Sequence, residues 1–173
     1  PQSLIFDQGG VEVAPGGLFN MHGANLTLRT NSSVIGGELR DVGSFIIADQ
    51  TDDDVTFTQS SGSTDINGTL RIGYATSSAS NPRGAFNVNG GSMSIVGAMY
   101  LGTGNQPGHI NVFSEGTFRQ TAGTTTIGSS VIAANQKFST GGVELTGGTM
   151  TITNGLTMAT GVNSASTLDI SGA

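Results

Sequence analysis

The sequence predicts an all-β fold, a right-handed parallel β-helix (β-solenoid) of about six to seven coils. Three observations predict it. A segment of seventeen residues recurs four times without a gap, apolar and polar residues alternate inside each copy, and Gly or Asn-Gly interrupts each copy at fixed places. The copies are Phe57 to Gly73, Phe86 to Gly102, Phe118 to Ala134 and Val143 to Ala159. A fainter copy runs from Ser32 to Ala48, with Val34, Gly37, Leu39, Phe45 and Ile47 in register, and a truncated copy starts at Leu168. Starts at 32, 57, 86, 118, 143 and 168 give spacings of 25, 29, 32, 25 and 25 residues.

Each copy reads as three short strands. Phe57 and Gln59 belong to the first, and Gly62 turns the chain with a positive φ that suits glycine. Thr64 and Ile66 belong to the second, Asn67-Gly68 turns again, and Leu70 and Ile72 belong to the third. Alternation within a strand puts the named residues on one face. Ile66, Ile95, Ile127 and Ile152 should therefore stack inside, as should Leu70, Met99, Val131 and Leu156, and Phe57, Phe86, Phe118 and Val143. A β-sandwich, the competing fold, gives no reason for seventeen residues to align without a gap. The handedness follows the general rule for parallel crossovers. Residues 1–31 do not align and are expected to form an atypical N-terminal coil or cap, ahead of solenoid repeats over 32–173. The extra residues of the longer copies, Tyr74 to Arg83 and Thr103 to Glu115, should form loops on one side of the rod.

Composition agrees. Gly contributes 28 of 173 residues, and only 10% of residues are charged. A disordered chain of this Gly and Ser content would be richer in charge and would lack ordered apolar residues. There is no Cys, which removes disulfides, thiolate chemistry and Cys-ligated metals. A net charge of −6 with a single lysine, Lys137, argues against nucleic acid as a partner. No apolar run is long enough to span a bilayer, so no transmembrane segment is expected.

The pattern Phe-x-Gln-x-x-Gly-x-x-x-Ile followed by Leu-x-Ile-Gly resembles the repeats of large bacterial secreted proteins. These are autotransporter-type passengers and repeat proteins of the PEP-CTERM type, and the resemblance covers about Ser32 to Ala173. It implies a surface-exposed or matrix protein concerned with adhesion or scaffolding.

Candidate sites are few. Asp52, Asp53 and Asp54, with Asp49 nearby, offer hard oxygen ligands for calcium. The run lacks the spacing of an EF-hand loop, and a solvated acidic turn is the reading we favour. Otherwise no cofactor is expected. Asp65 and Asp169 are the acids to consider for catalysis, with Asp41 at the position of Ile66 in the faint copy. Asp65 falls at an outward position and no second carboxylate matches it on a neighbouring coil, so no enzyme is expected. Gln59 and Gln120 should point inward and bond to the glycine corners, and Arg119 and Glu144 should pair across consecutive coils. Asn25, Asn31 and Asn67 match the glycosylation acceptor pattern. Thr-x-Thr pairs at Thr124/Thr126 and Thr149/Thr151 read as ordinary strand residues, with ice binding as the sharper alternative.

Two functions follow as expectations. One is an extracellular structural protein, self-associating end to end through its open ladder edges, with Leu4, Ile5, Phe6, Leu168 and Ile170 at the contacts. The partial coil at Leu168 suggests either a chain that continues or a strand that pairs elsewhere. The other is an adhesin-like module in which Tyr74, Tyr100, His109 and Phe113 contact a glycan or a host surface.

Overall fold

The computed structural model describes residues 2–76, 81–104 and 113–172, and every regular element among them is a β-strand. In chain order they build a stack of coils. A single strand, β1 (Ser3–Phe6), comes first. The first complete coil is β2 (Glu12–Val13), β3 (Leu18–Asn20) and β4 (Asn25–Leu28). The second is β5 (Ser32–Val42) and β6 (Phe45–Ile47), and the third is β7 (Asp54–Ile66) and β8 (Leu70–Ala75). The fourth is β9 (Arg83–Val88), β10 (Ser92–Ile95) and β11 (Met99–Gly104). The fifth is β12 (Glu115–Gln120), β13 (Thr124–Ile127) and β14 (Ser130–Ala133). The sixth is β15 (Thr140–Leu145), β16 (Thr149–Ile152) and β17 (Gly155–Met158), and a lone strand, β18 (Ala165–Ile170), follows.

All the recorded pairings are parallel, so the chain is a parallel β-solenoid. Third strands form a seven-stranded sheet in the order β1-β4-β6-β8-β11-β14-β17. First and second strands together form an eleven-stranded sheet. The repeat alignment is the ladder register itself. Phe57 pairs with Phe86, Phe86 with Phe118 and Phe118 with Val143. Ile66 leads through Ile95 and Ile127 to Ile152, and Leu70 through Met99 and Val131 to Leu156. These rows are buried until the sixth coil, where Ile152 and Leu156 are half-exposed. Phe45 joins the phenylalanine row from the facing sheet, edge-on to Phe57 at 5.1 Å, and Phe57 lies 4.7 Å from Phe86. Such contacts add to the area they remove from water.

The corner glycines behave as their positions require. Gly62, Gly91, Gly123 and Gly148 have φ between 75° and 79°, a region that costs a side chain dearly. Beside them Gln59 and Gln120 are fully buried. Gln59 Nε2 donates to the carbonyls of Gly90 and Ser92, and Gln120 Nε2 donates to those of Gly123 and Thr149. Each amide thereby ties its own coil to the next.

Two details differ from the sequence reading. In the second and third coils the corner does not interrupt the strand, so β5 and β7 run through it. In the faint copy the register slips, and Val42, not Asp41, stands opposite Ile66. Asp41 is turned out with φ 56° and accepts a hydrogen bond from Asn67 Nδ2. Within residues 12–28, β2, β3 and β4 form a coil in register with the second. That coil is short. Val13 pairs with Val34 and Leu28 with Ile47, offsets near 20 residues, which a search at 25 passes over.

Arg119 and Glu144 do pair across the ladder, at 2.5 Å. The hydrogen bond from Arg119 holds the Glu144 carboxyl below its usual value of 4.5; burial opposes it, and the charge of Arg119 adds a smaller lowering. A carboxyl whose folded pKa is depressed contributes stability above its unfolded pKa and loses it as pH falls through the folded one. The pair is largely solvated, so Glu144→Gln should cost under about 1 kcal/mol at pH 7 and nothing once both states are protonated well below 4.5. Urea denaturation at the two pH values measures it.

Candidate functional site

The two long inserts leave the rod where a third strand ends and the next first strand begins. They are shorter than the sequence suggests, because β8 continues to Ala75 and β11 to Gly104. Tyr74 and Tyr100 are consequently strand residues and not loop residues. Tyr74 is 7% exposed and its backbone stands opposite Thr103. His109 lies outside the described residues.

Phe113 does reach the surface, at 55% exposure, and stacks on Phe138 at 5.5 Å. Both line a cleft of about 600 Å³ with Asp52, Asp54, Arg83 and Glu115. Three of these charges come from one row, since Asp54, Arg83 and Glu115, followed by Thr140, begin the first strands of successive coils. Arg83 Nε is 3.6 Å from Glu115, a loose and solvated pair. Of the acidic run, Asp53 is engaged in holding its own turn, accepting from the backbone N–H groups of Asp49 and Gln50. Asp49 accepts from Arg29 at 2.7 Å, and Arg29 also reaches Asp7 at 2.6 Å. The Asp49 bond in first place, with Asp7, holds the Arg29 proton more firmly than usual. This clamp joins three consecutive levels of the stack. Among the described residues no three His, Asp or Glu side chains are arranged to hold a metal ion.

The three glycosylation-pattern asparagines have structural roles. Asn25 Oδ1 accepts from the Ser44 N–H, Asn31 Oδ1 from the Thr56 N–H, and Asn67 donates to Asp41. Each bond bridges neighbouring coils at a corner.

A second constellation was not foreseen. Arg71 sits between inward Leu70 and Ile72, so its side chain stands on the outer surface of the seven-stranded sheet. Its guanidinium carbon is 4.5 Å from the centre of the Tyr74 ring and 5.8 Å from that of Tyr100. Tyr100 is Arg71's ladder partner on the next coil. Two tyrosines singled out as a loop surface thus converge on one arginine. A signal was present in the repeat, since Arg71 and Tyr100 occupy aligned positions there.

The poles carry the remaining candidates. Leu4 pairs with Leu26 and Phe6 with Leu28, so they extend inward rows, whereas Ile5 pairs with Thr27 in the outward row. At the far pole Leu168 lies over Val143 and Ile170 over Leu145, and they are 47% and 61% exposed.

Comparison with known proteins returns no matching family model, no matching curated protein and no matching solved structure.

Proposed function

We propose that this chain is a structural building block of the cell exterior, a rod segment that stacks pole to pole on further copies. One observation carries the reading: all the recorded pairings are parallel and the apolar rows run in register from β1 to β18, so one segment's ladder can be continued by another's. At one pole β18 stands a level beyond β16 and β17, in the first-strand row of the large sheet. At the other β1 stands a level beyond β2 and β3, in the third-strand row of the small sheet. Brought together, β1 covers β17 and β18 covers β2, and the two half-coils share one level. Only the second-strand place of that level stays open. The contact is heterologous and does not close, which gives rods that lengthen.

Physical chemistry favours such a joint. Both outermost strands carry apolar side chains that continue the inner rows, and such a strand is a ready template for pairing with another. The edge strands β16, β17 and β18 contain no Lys, Arg or Pro, the residues that blunt edges against pairing. The exterior setting is supported by the repeat resemblance.

Negative-stain microscopy and light scattering on the purified chain test this. Elongated particles whose mass rises in whole multiples of 17.4 kDa are expected. Leu168→Lys with Ile170→Lys, which places two charges in the joint, should return the chain to single rods with unchanged circular dichroism. A wild-type chain that stays monomeric at every concentration overturns the proposal. It would leave the step to be covered by another polypeptide segment.

A further inference from the structure

We propose that the outer face of the seven-stranded sheet, centred on Arg71, binds an acidic polysaccharide whose sugar rings carry carboxylates. The inference does not depend on pole stacking. It begins with charge. The chain has 12 Asp and Glu, and none lies in the seven strands of this sheet. The one charged residue in those strands is Arg71. A protein of net charge −6 therefore keeps the strands of one sheet free of acid around a single cation, and Asp7 and Asp49, just beyond β1 and β6, are paired to Arg29. The acidic side chains elsewhere are screened over about 8 Å at physiological ionic strength.

Arg71 is also unsatisfied. Arg29, Arg40, Arg83 and Arg119 each have a carboxylate partner, and no ion pair joins Arg71 to one among the described residues. Its Nε is buried without a hydrogen-bond partner. Tyr74 and Tyr100 hold the guanidinium in place, so little side-chain freedom remains to be lost on binding. The two terminal Nη groups, which are not buried, form a planar fork that suits a carboxylate and meets it with two parallel hydrogen bonds.

The surroundings select the class of partner. Each strand contributes one outward residue to the row through Arg71, with Ile46 on one side and Tyr100 and Ile132 on the other. At roughly 4.8 Å per coil the row extends about 30 Å over seven strands. Such a face offers side chains only. An extended acidic peptide would leave its backbone groups unpaired there, because strand addition needs an edge. A carboxylated sugar chain lays the C–H faces of its rings on Ile46, Tyr100 and Ile132 and brings a carboxylate to Arg71. A neutral sugar chain leaves the guanidinium unpaired.

Calorimetric titration of the full chain with a galacturonate oligomer decides the matter, beside a neutral glucose oligomer of equal length and a polyglutamate peptide. The galacturonate oligomer is expected to bind, and the other two to bind at least about tenfold more weakly. Arg71→Gln should weaken galacturonate binding by about tenfold, with Arg71→Lys in between, since a lysine keeps the charge and loses the fork. Ile132→Glu, which leaves Arg71 and its tyrosines in place, should weaken it too. Thermal melts identify any variant that fails to fold, and Ile132→Glu then carries the test. Absence of galacturonate binding overturns the proposal. So does equal binding of either comparator, or wild-type affinity in folded Arg71→Gln and Ile132→Glu.

Discussion

Gly116→Val is expected to abolish the cooperative fold. Gly116 follows Glu115 at the start of β12, at an inward position, where the large sheet meets the ends of the third strands. A Cβ there would come within 2.2 Å of the Ile72 carbonyl oxygen, 2.3 Å of the Gly102 nitrogen and 2.9 Å of the Leu101 carbonyl carbon. All three are backbone atoms of two different coils, held by ladder hydrogen bonds, and none can swing aside. The two sheets would have to separate across several levels. A cost above about 4–5 kcal/mol follows, comparable with the whole stability of many domains. Circular dichroism of Gly116→Val should show an unfolded or aggregated chain. Thr117→Val, one residue on and facing outward, should change stability by less than about 0.5 kcal/mol. A soluble Gly116→Val chain with a wild-type melting curve would mean that the sheets are not in contact there.

The same row explains what the sequence concealed. Gly84, Gly116 and Gly141 are ladder neighbours, with Val55 one coil earlier. They precede the aligned repeat by two residues, so an alignment begun at Phe57 omits them. Glycine at these places reports contact between sheets, which is a distance in space and leaves no period along the chain. What repeated within one strand was legible: the inward rows, the corner glycines and the Gln59 and Gln120 ties all follow from alternation plus one turn. The first complete coil lies outside the gap-free alignment for the opposite reason, because its shorter corners changed the period while its stacking stayed the same.

The candidate site was legible only in part. Alternation places Tyr100 outward, yet insert length suggested that Tyr74 belonged to a loop. The ladder instead captured two more residues of each insert, since Tyr74 and Ala75 find partners in Thr103 and Gly104. Pairing two inserts against each other satisfies backbone groups that a loop would leave to solvent. Arg71 drew no notice because an isolated arginine has no motif. What marks it is the lack of acid across seven strands that are distant in sequence and adjacent in space.

Phe86→Ala should destabilise the rod most among simple truncations and should divide its unfolding into two steps. Phe86 is fully buried in the fourth of six coils and lies within 6.2 Å of Phe57, Phe118 and Phe45, ring centre to ring centre. Removing the ring deletes its own buried area and three aromatic contacts, and it opens a cavity. The walls of that cavity are ladder strands that cannot close in. Such truncations cost about 3–5 kcal/mol. In a solenoid each coil contacts chiefly its neighbours, so stability is approximately a sum of coil and interface terms. A defect in the middle weakens the two interfaces that couple the halves, while Leu168→Ala at the exposed pole weakens little beyond its own strand. Urea titration followed by tryptophan fluorescence is not open to a chain without Trp, so circular dichroism and hydrogen exchange serve. Wild type should unfold in one transition. Phe86→Ala should show early exchange throughout coils four to six, with the N-terminal coils protected to higher urea. The N-terminal half holds Phe45, Phe57 and the Arg29 clamp, whereas Ile152 and Leu156 of the sixth coil are half-exposed. A single transition merely shifted to lower urea would show that coupling along the rod exceeds what one aromatic row supplies.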